Sequence, residues 1–555
     1  MYNLLIGGAA GQGIDTTAAI LEKLLKKSGY NVFTYRDFMS RVRGGHNFII
    51  IRFSTEEVYS HSFELDGIIA LNEETISLHE KDLKNDGFIL CDSEVVTDDK
   101  RAIKVAMKQM AKQLKNPRVS GTIAVGVILK LFSENLENVE AVLQQSLPTK
   151  YLDINIKAVQ EGYDSVDNRY EKLNGQFKDW LLLTGSQALT LGSMAAGLKF
   201  YSAYPMSPAT PIMVDLAAKS DKMGILVEQA EDEIAAINMA IGASFAGAKA
   251  MTATSGGGLA LMVEAIGLAG MAEIPIVLVD VQRPGPATGL PTRTGQEDLK
   301  FVISTSPGEF PRMVIALRNH EDAFYQTVRA FDIAERYQIP VIILSDQYLG
   351  DSSATVKPFD LNNLKISEPS RTNVTDYLRY RYSENGISER LIPGVTDQLV
   401  VADSDEHDEA GKITESAQVR NKMMDKRMKK LAVLESELQE PDFLGPDNFE
   451  TLLLGWGSMY GPLEEAIKIL NSKQTNKYAA LVFGDVYPLP DKLLKAKAKT
   501  AKTIINVEQN ATGQLASVIK EYTGISCTSS ILKYDGRQIN AQQIVDEILG
   551  GHKNA

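Results

Sequence analysis

Two rigid or glycine-rich turns, a run of acids and one arginine carry most of what can act chemically in this sequence. Tyr204, Pro205, Met206, Ser207 and Pro208 lead through Ala209 and Thr210 to Pro211, so proline recurs at every third position. Each proline fixes its own φ and pushes its predecessor out of the α region, which makes the segment stiff and extended. Such a loop either holds a ligand at a strand end or serves as a rigid connector. Glu228, Glu231, Asp232 and Glu233 follow the next strand-like run, ahead of a stretch rich in small residues through Gly242, Ala243 and Gly247. Acids at a helix start ordinarily complement its dipole in water. Glu233 borders the small-residue stretch, so its carboxyl is expected to be buried, while Glu231 and Asp232 stay wet. The run Met251 to Thr254 enters a turn of Ser255, Gly256, Gly257 and Gly258, bare enough for a ligand or another backbone to come close. Arg283 ends the apolar run Pro275 to Gln282, at the strand edge where open α/β sheets bind ligands.

A further glycine turn, GGAAGQGID, lies at the start of the chain and contains Gly11 and Gly13. Its bare backbone N–H groups at a helix start suit a phosphate, or it is simply a tight strand-to-helix turn. It lacks the Lys-Ser/Thr of a Walker loop, and Thr16 stands where a dinucleotide fingerprint has Gly or Ala. Arg36, Arg41 and Arg43 precede Gly44 and Gly45, either to grip a polyphosphate or as a solvated or subunit-facing loop. His407 lies among Asp403, Asp405, Glu406, Asp408 and Glu409. Asp408 occupies the position where a calcium loop requires glycine, so a solvated or subunit-docking acidic loop is expected there and no metal.

These segments need elements to position them. Residues 1 to about 180 read as strand, glycine turn, helix (Thr16 to Lys27) and strand (Val32 to Tyr35), then more strand runs, which implies a mostly parallel α/β sheet. The pattern restarts at Trp180, with predicted strands from Ile225, Lys249, Ile276 and Val341 and predicted helices Glu233 to Phe245 and Glu321 to Tyr337. Between about Lys365 and Pro446 hydrophobic periodicity weakens, and charge-rich segments lead into a predicted helix from Asn421 to Leu438. A third α/β unit closes the chain, with predicted strands from Thr451, Ala479 and Thr503.

Bulk properties narrow the partners. At 555 residues the chain exceeds one hydrophobic core. A net charge of −13 argues against nucleic acid and anionic membranes. The start has no basic n-region and no segment reaches the length needed to span a bilayer, so a cytoplasmic location is expected. Two cysteines fall short of the four thiolates of an iron–sulfur cluster.

Taken in order, the motifs resemble those of the α subunit of 2-oxoacid:ferredoxin oxidoreductases in the arrangement with a γ domain fused in front. The likeness runs through nearly the whole chain: GGAAGQGI and SRVRGGHN, then TGSQALTLGSMAAGLKFYSAYPMSP, EDEIAAINMAIGASFAG, DVQRPGPATGLPT, ADSDEHDEAGKITE and GWGS. It implies an α/β fold of three α/β units: a gamma-type Rossmann-like domain over 1–175, a thiamine-enzyme pyrimidine-type domain over 180–360 and a transketolase C-terminal-like domain over 446–555. A connector with a docking helix fills 361–445.

By the same resemblance, Glu233 is the carboxylate that hydrogen-bonds the aminopyrimidine of thiamine pyrophosphate and promotes loss of the thiazolium C2 proton. Tyr204, Pro205, Ser255 and Gly256 border the thiamine site. Ser207, Arg283 and Thr292 contact the substrate, with Arg283 able to hold a carboxylate bidentately. Ser207 stands where the family has threonine and Met206 where it has isoleucine, so the hydroxyl is kept and the pocket shape altered. Gly11, Gly13, Arg41 and Arg43 are candidates for coenzyme A. No Gly-Asp-Gly occurs, Gly484-Asp485 being followed by Val486. Mg²⁺, its pyrophosphate motif and a [4Fe–4S] cluster are therefore assigned to a β subunit, in a dimer of αβ heterodimers. The implied reaction converts a 2-oxoacid and coenzyme A to acyl-CoA and CO₂ with reduction of ferredoxin, 2-oxoglutarate being favoured over pyruvate. A dicarboxylate needs a second cation, Arg293 or a partner lysine. The alternatives are an indolepyruvate-type or other thiamine-dependent subunit, and a non-catalytic binding or regulatory subunit of thiamine-enzyme fold.

Overall fold

The chain is described by a computed structural model over residues 1–39, 45–369, 374–474 and 477–550. It divides into two compact units, Met1–Thr184 with Asp351–Pro358, and Gly185–Gly350 with Phe359–Ala555.

The first unit is built on an eight-stranded sheet. Strand Tyr2–Ala9 runs antiparallel to His46–Ser54 and parallel to Leu65–Ala70, and parallel pairing continues through Leu83–Asp92 to Ala102–Val105. His46–Ser54 also pairs antiparallel with Asn31–Asp37. The mostly parallel sheet expected from the sequence is therefore mixed, for a reason of chain length. Only residues 38–45 link those two strands, fewer than a parallel crossover needs. Two short segments from the range assigned to the second domain, Leu181–Thr184 and Ser353–Val356, pair with each other, and the latter joins Asn31–Asp37. The amphipathic helix Ile14–Lys27 buries Ile14, Ala18, Leu21 and Leu25 against this sheet.

In the second unit a seven-stranded sheet runs in the order Asp485–Tyr487, Met313–Ala316, Pro340–Asp346, Ile276–Gln282, Ala250–Thr254, Phe200–Ala203 and Leu226–Gln229. All pairings are parallel except that of Asp485–Tyr487. A parallel sheet covered on both faces needs nearly continuous apolar strands, and Ile276–Gln282 and Pro340–Asp346 are buried throughout. A five-stranded sheet, parallel apart from Asp442–Leu444, lies in about the last fifth of the chain. One core runs from Ile237, Leu278 and Val314 of the seven-stranded layer to Trp456, Leu481 and Phe483 of the five-stranded one.

The connector docks on its own chain. Its helix spans Ala417–Leu434, and Lys426 and Lys430 are buried in ion pairs with Glu273 at 2.6 and 2.5 Å. Glu406 pairs with Arg420 and Arg427, and the His407 ring, fully buried, packs 4.0 Å from that of Tyr380. The acidic loop expected to be solvated or subunit-docking is held here from within. Among the described residues no helix is long and apolar enough to cross a membrane, and no group of three His, Cys, Asp or Glu is arranged to hold a metal ion.

Candidate functional site

Three parallel strands of the second unit, Phe200–Ala203, Ala250–Thr254 and Ile276–Gln282, deliver the proline loop, the glycine turn and Arg283 from their carboxyl ends. The helix Glu233–Phe245 packs on the first two of these strands, and its N-terminus brings Glu233 to the same edge. Asp232 caps that helix, its side chain accepting from the Ala235 N–H at 2.7 Å. One residue on, Glu233 turns inward and is 3% exposed, whereas Glu231 and Asp232 face solvent.

The Glu233 carboxyl is held without being satisfied. Its Oε1 is buried and meets no hydrogen-bond donor, a state that costs about 1–3 kcal/mol or more unless something else supplies the donor. Beside it lies Gly258, where a Cβ would fall 2.7 Å from Oε1 and closer still to the Thr254 hydroxyl. Glycine at that position leaves the carboxyl room. An added methyl at Gly258 would shift Glu233 or Thr254, and overpacking of this kind costs about 1–3 kcal/mol of stability. Gly258→Ala is accordingly expected to lower the unfolding free energy by that amount in a urea titration, with secondary structure retained.

At the same strand edge the proline loop is tied to its neighbours. Ser255, fully buried, donates its hydroxyl to the Met206 sulfur at 2.8 Å, which ties the glycine turn to the proline loop. Arg283 Nη1 donates to the Ser207 carbonyl at 2.6 Å and so joins the same loop from the other side. Tyr204 and Ser207 are exposed and Pro205 partly so, which leaves the Ser207 hydroxyl open to a ligand. The segment after Arg283 folds back on itself through Leu290 N–H to Pro284 O, and the Gly285 N–H is held by Glu297 at 2.8 Å. Thr292 lies partly buried on this segment, and Arg293 packs against Gly536. Tyr204, Pro205, Ser207, Glu233, Ser255, Gly256, Arg283 and Thr292 thus all lie in one unit.

Gly11 and Gly13 belong to the first unit, at φ +91 and +84, with open space where their side chains would be. Gln12 turns back so that its Oε1 takes the Ala9 N–H at 2.7 Å. Arg36 is engaged with Asp15 at 3.2 Å and Glu22 at 3.8 Å. Arg41 and Arg43 lie outside the described residues.

Sequence reasoning missed the supports behind the segment that follows Arg283. Gln296 donates to the Trp456 carbonyl at 2.9 Å, accepts from the Gln509 N–H, and takes Asn510 Nδ2 on its own carbonyl at 3.0 Å. Glu508, fully buried, accepts from Trp456 Nε1 and from the Leu515 N–H at the start of helix Gln514–Thr523. The GWGS turn and the Glu508-Gln509-Asn510 segment therefore brace residues 283–297 from the five-stranded layer. It missed Asp280 and Asp298 as well, although a lone acid inside the apolar run Ile276–Gln282 was a usable signal.

Residues 191–426 match the family described as pyruvate flavodoxin/ferredoxin oxidoreductase, thiamine diphosphate-binding, and residues 3–165 match pyruvate ferredoxin/flavodoxin oxidoreductase. The 2-oxoacid:ferredoxin oxidoreductase subunit alpha of a Sulfolobus species is 32% identical over 98% of this chain and 96% of its own. The chain belongs to the 2-oxoacid:ferredoxin oxidoreductase family, as an alpha subunit. Within that family, the 2-oxoglutarate synthase subunit KorA of Archaeoglobus fulgidus is 32% identical over 66% of this chain and 98% of its own. The solved 2-oxoglutarate:ferredoxin oxidoreductase from Magnetococcus marinus, with 2-oxoglutarate, coenzyme A and succinyl-CoA bound, superposes with a TM-score of 0.92 at 30% identity over 99% of both chains. This oxidoreductase subunit thus has a thiamine diphosphate-binding domain, and within it Glu233 offers a buried oxygen that lacks a donor, with a glycine wall beside it.

Proposed function

We propose that this chain is the thiamine-side subunit of a 2-oxoglutarate:ferredoxin oxidoreductase that forms succinyl-CoA and CO₂. The observation that carries the reading is the dry, unsatisfied carboxyl of Glu233 at the strand edge that also presents Arg283 and Ser207. Bound thiamine diphosphate supplies the carbon nucleophile and electron sink that decarboxylation of a 2-oxoacid requires. Glu233 takes and returns a proton on the pyrimidine ring, in a site dry enough to make that exchange effective. Arg283, anchored to the Ser207 carbonyl, keeps its second nitrogen for the substrate carboxylate, and the Ser207 hydroxyl donates to the same molecule. Thr292 shapes the pocket, and Arg293 or a partner lysine reads the distal carboxylate of a five-carbon diacid.

A β subunit completes the site in this reading, bringing Mg²⁺ with the pyrophosphate motif and the [4Fe–4S] cluster, in a dimer of αβ heterodimers. In support, the elements that carry the site leave Tyr204, Val214, Leu226, Ile234, Met239 and Leu261 exposed, an apolar display that a covering chain buries. The two cysteines of this chain are too few for the cluster. The domain over 1–175, with Gly11, Gly13, Arg41 and Arg43, contributes to coenzyme A binding, a reading supported by the coenzyme A in the Magnetococcus marinus enzyme. The test is acceptor reduction by the chain co-expressed with its β subunit. The kcat/KM for 2-oxoglutarate is expected to exceed that for pyruvate by about tenfold or more, the discrimination one satisfied charge provides. Equal rates on both acids would overturn the diacid preference, and no turnover on any 2-oxoacid would overturn the function.

A further inference from the structure

The strand Ile276–Gln282 is buried throughout and apolar as far as Asp280, which is 0% exposed, and neither of the Asp280 carboxyl oxygens meets a donor. The group it faces is the carboxyl of Asp298, at the cap of the helix Leu299–Ile303, whose Oδ2 is likewise buried without a donor. The Asp298 N–H donates to Gln282 Oε1 at 3.1 Å, and its carboxyl occupies the space a Cβ on Gly256 would need. The pair thus links the glycine turn that borders Glu233 to the strand that leads into Arg283. Ionised carboxylates only accept hydrogen bonds, so two of them in contact repel and leave both Asp280 oxygens and Asp298 Oδ2 unsatisfied. A single proton held between them removes the repulsion and pairs one oxygen of each carboxyl.

We propose that Asp280 and Asp298 share one proton and act as a positioning pair for Arg283, their net charge setting how tightly that guanidinium holds the substrate carboxylate. This rests on the role given to Arg283 above. The charged groups that act on the pair are Arg283, which offsets its charge, and Glu297, which adds to it. On the adjoining strand Asp346 stands beside Gln282 in register, and its carboxyl takes the Leu349 N–H at 2.9 Å. Glu233 lies beyond the glycine turn, against Gly258. Burial, then the neighbouring Glu297, pushes Asp298 up to about 6, and burial with Asp298 pushes Asp280 well above the carboxylate range. The two titrate as a unit. Above about pH 6 the pair holds one proton and one negative charge, and below it a second proton from solvent makes the pair neutral. Arg283 then meets less opposing charge and grips an anion harder.

Two measurements on the assembled enzyme test this. In infrared difference spectra with ¹³C-labelled aspartate, the wild type is expected to show a protonated aspartate at neutral pH. Asp280→Asn, or Asp298→Asn where the first fails to assemble, replaces the shared proton by an amide donor and removes that band. In steady-state kinetics, the KM for the 2-oxoacid is expected to rise about threefold or more as pH rises through about 6, and to stay flat in either variant, with kcat changing less. The absence of a protonated aspartate, or a variant that keeps the wild-type slope, overturns the proposal. An enzyme inert toward 2-oxoacids overturns the function instead, and the infrared band still reports on the pair.

Discussion

Replacing Glu233 with glutamine is expected to lower the kcat of the assembled enzyme by about 10²- to 10⁴-fold, the range that a positioned acid–base group contributes. Glutamine has nearly the same shape, so the packing against Gly258 and Thr254 survives. The helix keeps its start because the cap is Asp232, whose bond to the Ala235 N–H does not involve Glu233. What the amide loses is the ability to take up and return a proton. Unfolding by urea should therefore be almost unchanged, and Glu231→Gln, altering an exposed neighbour, should leave kcat within about twofold. A Glu233→Gln enzyme that keeps a tenth or more of its rate would show that the proton passes elsewhere.

Glu273→Gln is expected to destabilise the second unit by about 3–5 kcal/mol, the usual consequence of removing one partner from a buried ion pair. Glu273 is 1% exposed and sits between Lys426 and Lys430, both buried, while Arg379 donates to its backbone carbonyl at 2.7 Å. Burial alone would raise its carboxyl, but Lys430, Lys426 and Arg379 together outweigh that and hold it below the usual glutamate range. Burial, only partly offset by Glu273, brings Lys430 down to about 8. With glutamine in place two ammonium groups are left in a dry site with no anion. Because the folded-state carboxyl is held low, its contribution is full above the ordinary glutamate pKa and is lost as pH falls below it. Urea unfolding followed by tryptophan fluorescence measures the change. A loss under about 1 kcal/mol would mean that the connector helix is held by something other than this cluster.

That cluster shows where the sequence was hard to read. The connector lacks hydrophobic periodicity because its helix is fastened by Lys426, Arg427 and Lys430, whose charges mark a solvated face until the partners Glu273 and Glu406 are seen beside them. The burial of Glu233 was legible for the opposite reason. Glu233 borders a run of small residues that lets its helix pack closely, so the types there pointed inward, while the room that Gly258 leaves for its carboxyl is seen only in the fold. Strand direction was not legible, since the apolar pattern of His46–Ser54 says nothing about which way its neighbours run. Nor were the bonds from Gln296 to Trp456 and Asn510, which join residues far apart in the chain through backbone groups that no motif announces.

The proposed chemistry requires that thiamine diphosphate complete the buried oxygen of Glu233. A crystal structure of the assembled heteromer with that cofactor answers this directly. The prediction is a Glu233 carboxyl oxygen within about 2.6–3.2 Å of a pyrimidine ring nitrogen, with Arg283 and Ser207 opening toward the reacting end. A cofactor seated elsewhere, with Glu233 still buried and its Oε1 still without a donor, would contradict it.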